Sequence, residues 1–205
     1  QFIVEFVASI EEDIAQRMAD AIHRANSVVL LEQSICEGMK STFCGVVWDF
    51  NNQQIYYANI GDSRIYEWTE NRIVQLSTDE VKSVILKKKD GKPMIIAGAA
   101  VVADAVTNVI GSAGLAFEIK VKAADKVKGL ILSSDGFHGI SASFDRDILV
   151  TMNTLNLENG VQQICYRYQD RQSDDMTTLI LRQKEPSENQ ADIVAVIMQD
   201  RDITT

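Results

Sequence analysis

The sequence predicts an α+β layered fold. Three observations carry this: a long amphipathic helical stretch opens the chain, strand-like segments crowd its middle, and two more helical stretches precede a closing strand. Grouped strands bracketed by helices mark antiparallel sheets covered by helices, whereas regular βαβ alternation would mark a parallel sheet.

The elements follow in order. From residue 2 to about 31, Ile3, Phe6, Val7, Ile10, Ile14, Met18, Ala21, Ile22 and Ala25 recur at helical spacing, with Glu5, Glu11, Glu12 and Asp13 between them. This predicts an amphipathic helix, broken once, with His23 at its surface or boundary. Residues 43–50 and 54–60 are rich in β-formers on either side of Asn51-Asn52, a turn signal, and predict two strands. Two shorter runs, 65–68 and 72–76, flank the polar Thr69-Glu70-Asn71 and extend the antiparallel meander. Residues 79–113 hold a lysine run, a Gly-Lys-Pro turn and small apolar residues; they predict a helix followed by an irregular segment. Residues 117–121 alternate as a strand, and 130–133 are a short buried strand ending at Ser134-Asp135-Gly136. Helices are predicted at 144–153 and 157–168, and a strand at 176–181. The expected organisation is one domain over residues 1–183, then a polar linker and an additional strand near 193–198 within 184–205.

Composition narrows the function. The 205 residues are 46% apolar with two prolines, enough for a sizeable core and little disorder. The formal net charge is −9, which argues against phosphate backbones and anionic lipid as partners and suits divalent cations. Lys87-Lys88-Lys89 reads as a solvated turn. The longest uncharged run, 94–103, is too short to span a bilayer, and the first five residues carry no secretory leader pattern. Cys36, Cys44 and Cys165 lack CxxC spacing and predict buried free thiols in a reducing, cytoplasmic compartment. With only His23 and His138 in the chain, a cysteine nucleophile has no support. Phosphate-cradling glycine motifs, GxSxG and HExxH are all absent.

Chemistry concentrates instead at three acidic spots on strand ends: Gly61-Asp62-Ser63-Arg64, Ser133-Ser134-Asp135-Gly136 and Ser173-Asp174-Asp175-Met176-Thr177. A carboxylate on a strand end is held rigidly and aimed into a cleft. Several converging carboxylates repel one another, and a hard cation relieves that repulsion. Oxygen donors without thiol or imidazole favour Mg²⁺ or Mn²⁺ over Zn²⁺. Taken singly, each spot is also ordinary turn chemistry, since Asp caps turns and Gly supplies positive φ.

In order, the pieces resemble the metal-dependent protein phosphatase family, the type 2C Ser/Thr phosphatases. Ala25-Asn26 resembles the end of that family's first helix pair, and Ser41-Thr42 its Gly-[Ser/Thr]-Thr. Residues 57–66, Tyr-Ala-Asn-Ile-Gly-Asp-Ser-Arg-Ile-Tyr, resemble its Ala-Asn-x-Gly-Asp-Ser-Arg strand-turn-strand. Leu76-Ser77-Thr78-Asp79 resembles its Leu-Thr-x-Asp, and Asn108-Val109-Ile110-Gly111 the short motif that leaves its flap. Ile131 to Phe137 resembles Leu-x-Ser-Asp-Gly-[Leu/Phe], and Asp174-Asp175-Met176-Thr177 resembles Asp-Asn-x-Thr. The resemblance covers about residues 20–182.

It implies a four-layer α-β-β-α sandwich of two antiparallel sheets flanked by helices. It places Asp135 and Asp174 on the carboxylates of one of two catalytic Mg²⁺ or Mn²⁺ ions, and Asp62 on a third, weaker metal that shares Asp135. The implied reaction is hydrolysis of phosphoserine and phosphothreonine in phosphoprotein substrates by in-line attack of metal-activated water, without a phosphoenzyme. Residues 79–113 correspond to the flap. Several features depart from the family pattern. Neither the Asp-Gly-x-Gly-Gly motif, whose Asp bridges two metals, nor the upstream phosphate-gripping Arg is among these residues. The resemblance places both before the first helix, inside which this sequence begins, and so implies little activity from these residues alone. Lys40 stands where Gly is usual and Glu80 where His follows Asp79, while His138 does not fall on the family's acidic His. Arg64 reads as a structural ion-pair partner. The alternative function is a catalytically impaired relative acting as a regulatory or binding module; a small-ligand or carbohydrate-binding domain is a third reading.

Overall fold

The computed structural model describes residues 2–8, 13–139, 144–152, 157–168, 175–183 and 191–198. Two helices open the chain, α1 (Phe2–Ala8) and α2 (Ile14–Glu32). Asp13 caps α2 by accepting a 2.8 Å hydrogen bond from the Gln16 amide. Strands β1 (Phe43–Asp49) and β2 (Gln54–Ile60) form a hairpin, and the Asp49 carboxylate shapes its turn by accepting from the Asn51 and Asn52 amides. Those bonds hold the Asp49 carboxyl below its ordinary range. Then come β3 (Arg64–Trp68), β4 (Ile73–Gln75), β5 (Val81–Ile85), β6 (Ile95–Ile96), β7 (Ala99–Ala100), β8 (Val102–Val106), β9 (Lys120–Ala123) and β10 (Gly129–Ser133). The chain continues through α3 (Asp135–His138), α4 (Phe144–Met152), α5 (Leu157–Tyr168), β11 (Met176–Gln183) and β12 (Ala191–Met198).

Two antiparallel sheets result, one ordered β1-β2-β9 and the other β12-β11-β10-β3-β4. Period-two alternation along each strand sorts side chains onto opposite faces. Inward, Ile55, Ile65, Leu130 and Leu132 pack between the sheets with Val46, Leu179 and Leu181. Outward from the five-stranded sheet, Tyr66, Trp68, Ile131 and Ile180 meet Ile148 and Met152 of α4 and Val161 and Ile164 of α5. Outward from the three-stranded sheet, Ala58 and Ile60 meet Met18 and Ile22 of α2, with Phe2 and Phe6 of α1 at the margin. Three apolar layers between four structural layers make an α-β-β-α sandwich. One charged pair interrupts the inter-sheet core: Glu67 of β3 is buried and bonds Lys122 of β9. Burial pushes the Lys122 ammonium down from its ordinary range even with that partner.

The sequence expectation fails over 79–113. Instead of a helix, β5 pairs with β8 and β6 with β7 in antiparallel hairpins that form an arm. Ile95, Ile96, Val101 and Val102 are β-branched, and Ala97 and Gly98 both take positive φ (50° and 83°), which closes a tight hairpin. The strand expected at 117–121 starts at Lys120; Phe117 precedes it and packs on His23, with ring centroids 4.9 Å apart. The expectation of buried thiols also fails for Cys36, which is exposed in the turns after α2. Cys44 is half-buried on β1, where desolvation pushes its thiol up to about 12. No helix among the described residues is long and apolar enough to cross a membrane.

Candidate functional site

The chain first passes from one sheet to the other through the turn that joins β2 to β3, and Asp62 sits on that turn. Gly61 precedes it at φ 97°, where a Cβ would lie 2.6 Å from the Thr42 methyl carbon. The turn is therefore restricted to glycine by conformation and by space. Its hydrogen bonds are satisfied from three sides. The Gly61 amide donates to Glu80 Oε2 at 2.8 Å, Asn59 Nδ2 donates to the Gly61 carbonyl, and the Thr42 and Ser63 hydroxyls share a 2.8 Å bond. Asn108 Nδ2 donates to both oxygens of Glu80, which leaves that carboxylate committed to the turn.

Asp135 enters from the neighbouring strand end. It begins α3 directly after β10, and its Oδ1 accepts from the Gly136 amide at 2.8 Å. Ser134 fastens this junction to the start of β11. Its amide donates to the Thr177 carbonyl, and its hydroxyl accepts from the Thr177 amide, both at 2.9 Å. Antiparallel pairing sets Ser133 opposite Arg64 on one side and Thr178 on the other, so the β2–β3 turn and the two segments around Asp135 and Asp175 share one end of the sandwich.

The charge of Asp135 reaches Asp62 at this end of the sandwich. The Asp62 carboxyl lies above its ordinary range, chiefly through burial and then through the negative charges of Asp135 and Asp79; its own amide and Arg64 oppose the rise. Asp174 lies outside the described residues. Its neighbour Asp175 is exposed, and its carbonyl accepts from Ser134 Oγ at 3.3 Å.

Arg64 is engaged below these acids. Its Nε reaches both oxygens of Asp79 at 3.0 Å, Nη2 reaches Oδ2 at 2.7 Å, and Nη1 reaches the Tyr66 hydroxyl at 3.2 Å. A guanidinium forked on a carboxylate in this way is a positioning group. His138 was not among the expected site residues, yet it lies here. Buried on α3, its Nδ1 shares a 3.0 Å hydrogen bond with the Ser133 hydroxyl. Burial, reinforced by Arg64 and opposed by Asp79 and Asp135, pushes the imidazole down to about 4, so it is neutral at pH 7. The three-residue spacing from Asp135 on a helix was the signal that would have placed it beside the acids. Glu80 was likewise visible only as a departure from a motif. A cleft of about 1170 Å³ lies at the other end of the sheets, beside Trp68, Glu67 and Lys122, and takes in none of these carboxylates.

No family model matches the chain and no curated protein matches it. Solved structures do. A serine/threonine phosphatase of Mycobacterium tuberculosis superposes with a TM-score of 0.67 at 14% identity, over 90% of this chain and 81% of that one. A point variant of a bacterial serine phosphatase gives 0.63 at 21% identity, over 86% and 70%. The fold is that of the bacterial serine/threonine phosphatases. A C. elegans sex determining protein also matches, with a TM-score of 0.67 at 13% identity, and this chain spans about half of it, 51%.

Proposed function

We propose that these residues belong to a metal-dependent protein phosphatase domain of the type 2C kind, acting on phosphoserine and phosphothreonine in proteins. The observation that carries the reading is the placement of Asp62 and Asp135 at one end of the sandwich, where antiparallel pairing sets Ser133 opposite Arg64 and the charge of Asp135 helps to raise the Asp62 carboxyl. Among the described residues no three metal-ligating side chains are gathered. The oxygen-only pair nevertheless fits a hard divalent cation, because Asp135 is exposed and both carboxylates are mounted on turns whose own hydrogen bonds are already satisfied. In this proposal Asp135 and Asp174 hold a catalytic Mg²⁺ or Mn²⁺, and Asp62 with Asp135 a weaker one. When bound, such ions supply an activated water and neutralise phosphate oxygens. The chain's own residues position the pair: Glu80 fixes the Asp62 turn, Ser134 fixes the Asp135 junction, and Arg64 with Asp79 braces the strand beneath.

A second reading is an impaired phosphatase-like module with a regulatory or binding role. Calorimetric titration with Mn²⁺ and hydrolysis of p-nitrophenyl phosphate test both. The proposal expects weak binding at one site or none in this chain, and no two-metal hydrolysis. A longer gene product that contains the bridging Asp should bind two ions and hydrolyse the ester, and Asp135→Asn or Asp174→Asn should abolish that hydrolysis without lowering the melting temperature. Two tight sites in these residues alone, or full activity in the Asp135→Asn variant, would overturn the ligand assignment. A longer product that binds metal but never hydrolyses would establish the second reading.

A further inference from the structure

The arm that replaces the expected helix exposes an unusual surface. Its base is β5 paired with β8, rooted at Glu80, whose carbonyl accepts from the Thr107 amide and hydroxyl. Beyond the base the arm divides into two short hairpins. The first, 87–93, is closed by a Lys87–Pro93 bridge and a bond from the Lys88 amide to the Lys92 carbonyl. The second is β6–β7, turning at Ala97-Gly98. Bonds from Leu86 to Val101 and from Met94 to Leu86 join the two hairpins to the base.

On this frame Ile85, Leu86, Ile95, Ile96 and Val102 are 51%, 37%, 57%, 63% and 57% exposed. Residues 94–103 include no charged or hydroxyl side chain, while the adjoining hairpin carries Lys87, Lys88, Lys89 and Lys92 against one Asp90. The arm from 81 to 106 holds five lysines and two aspartates, so it is cationic on a chain whose net charge is −9. The average charge that argues against anionic lipid therefore does not describe this part of the surface.

We propose that the arm docks on an anionic lipid bilayer, with β6–β7 entering the headgroup boundary and the lysine hairpin lying among the headgroups. Paired strands carry their backbone hydrogen bonds with them, which lowers the cost of leaving water. Lysines beside an inserted apolar segment keep their ammonium groups in the wet layer while their stems follow the apolar surface. A protein partner fits less well. Protein interfaces are enriched in aromatic residues and Arg and depleted in Lys, whereas the arm contains no Phe, Tyr, Trp or Arg. The inference does not depend on the proposed phosphatase activity. It would place the Asp62–Asp135 end of the sandwich near a membrane surface, because the arm is rooted in the residue that holds the Asp62 turn.

Vesicle co-sedimentation with the 205-residue chain tests the proposal. Binding is expected to vesicles containing about a third phosphatidylserine, to fall sharply between about 0.1 M and 0.5 M salt, and to be weak on pure phosphatidylcholine. Each lysine changed to a neutral residue should weaken binding about fivefold, so Lys87→Gln, Lys88→Gln and Lys89→Gln together should cost about a hundredfold. Ile95→Asp with Ile96→Asp should cost at least about tenfold while leaving the melting temperature unchanged, since both side chains are already solvated. Absence of binding to anionic vesicles overturns the proposal, as does salt-independent binding or binding indifferent to the paired Asp variant. Self-association in size-exclusion chromatography that the paired Asp variant abolishes, without vesicle binding, would assign the arm to a protein contact and overturn it too.

Discussion

Replacing Arg64 by Ala removes the fork that ties β3 to Asp79. The structure gives the magnitude. Two guanidinium nitrogens bond both carboxylate oxygens at 2.7 to 3.0 Å, and a third bonds the Tyr66 hydroxyl. Hydrogen bonds to charged groups contribute roughly 1.5–3 kcal/mol each when shielded. Here the side chains keep 30% and 21% exposure, so solvent screening brings the pair down to a coupling of about 1.5 kcal/mol. The single variants should each cost more, about 2–3 kcal/mol. Arg64→Ala strands Asp79 next to Asp62, and Asp79→Ala also loses the 3.0 Å bond from Gln75. Urea denaturation of four proteins, the parent, Arg64→Ala, Asp79→Ala and the double variant, isolates the coupling. Arg64→Lys serves as the control: it keeps the charge and loses the fork, and should recover less than half of the stability. A coupling below about 0.5 kcal/mol would refute the positioning role. So would an Arg64→Ala protein of parental stability that no longer gains melting temperature from inorganic phosphate, because Arg64 would then be a phosphate clamp.

Four further outcomes follow from the same structure. Gly129→Ala would place a Cβ 2.4 Å from the Leu181 carbonyl oxygen and 2.5 Å from the Trp68 ring, so it should cost about 3 kcal/mol, or about 6–12 °C in melting temperature; an unchanged melting curve contradicts this packing. Ending the chain at 184 removes β12 and bares the β11 edge, so oligomers should appear in size-exclusion chromatography, and a monomeric profile would count against the edge argument. Native alkylation mapped by mass spectrometry should modify Cys36 within minutes at pH 8 and leave Cys44 unmodified, since desolvation pushes the half-buried Cys44 thiol up to about 12; equal labelling of the two would show that β1 opens readily. In an active longer product, deleting residues 87–92 should reduce hydrolysis of phosphopeptides more than of a small aryl phosphate, and equal losses would separate the arm from substrate choice.

Much of the sandwich is legible in the sequence because its strands obey local rules. Ile55 and Tyr57 face one way while Tyr56 and Ala58 face the other, and the same alternation sorts Leu130 and Leu132 from Ile131. The α2, α4 and α5 helices show equally plain spacing. The arm is illegible for the opposite reason. Val81 pairs with Val106, a partner that no local window contains, and alanines and lysines between them favour helix by propensity alone. The β-branched pairs at 95–96 and 101–102 were the contrary signal. At the candidate site, the turn residues Asp62 and Asp135 stand out because a Gly adjoins each. His138 and Glu80 do not, since their importance lies in burial and in hydrogen bonds to distant backbone.

The Glu67–Lys122 pair has a geometric consequence for that site. Two sheets joined at a single point can swivel in their common plane, because Ile, Leu and Val side chains on the facing surfaces interchange with little penalty. Here the chain crosses between the sheets twice, at the β2–β3 turn and through residues 124–128 between β9 and β10, and the ion pair adds a further tie. The β2–β3 turn is a covalent junction at the Asp62 end, and Glu67 with Lys122 is an ionic one toward the opposite end, about three residues, or roughly 10 Å, along β3. Together these ties resist in-plane rotation, and a swivel would strand both charges in an apolar layer. The angle between the sheets, and with it the placement of Asp62 beside Asp135, is thus held in part by a residue pair that touches neither acid.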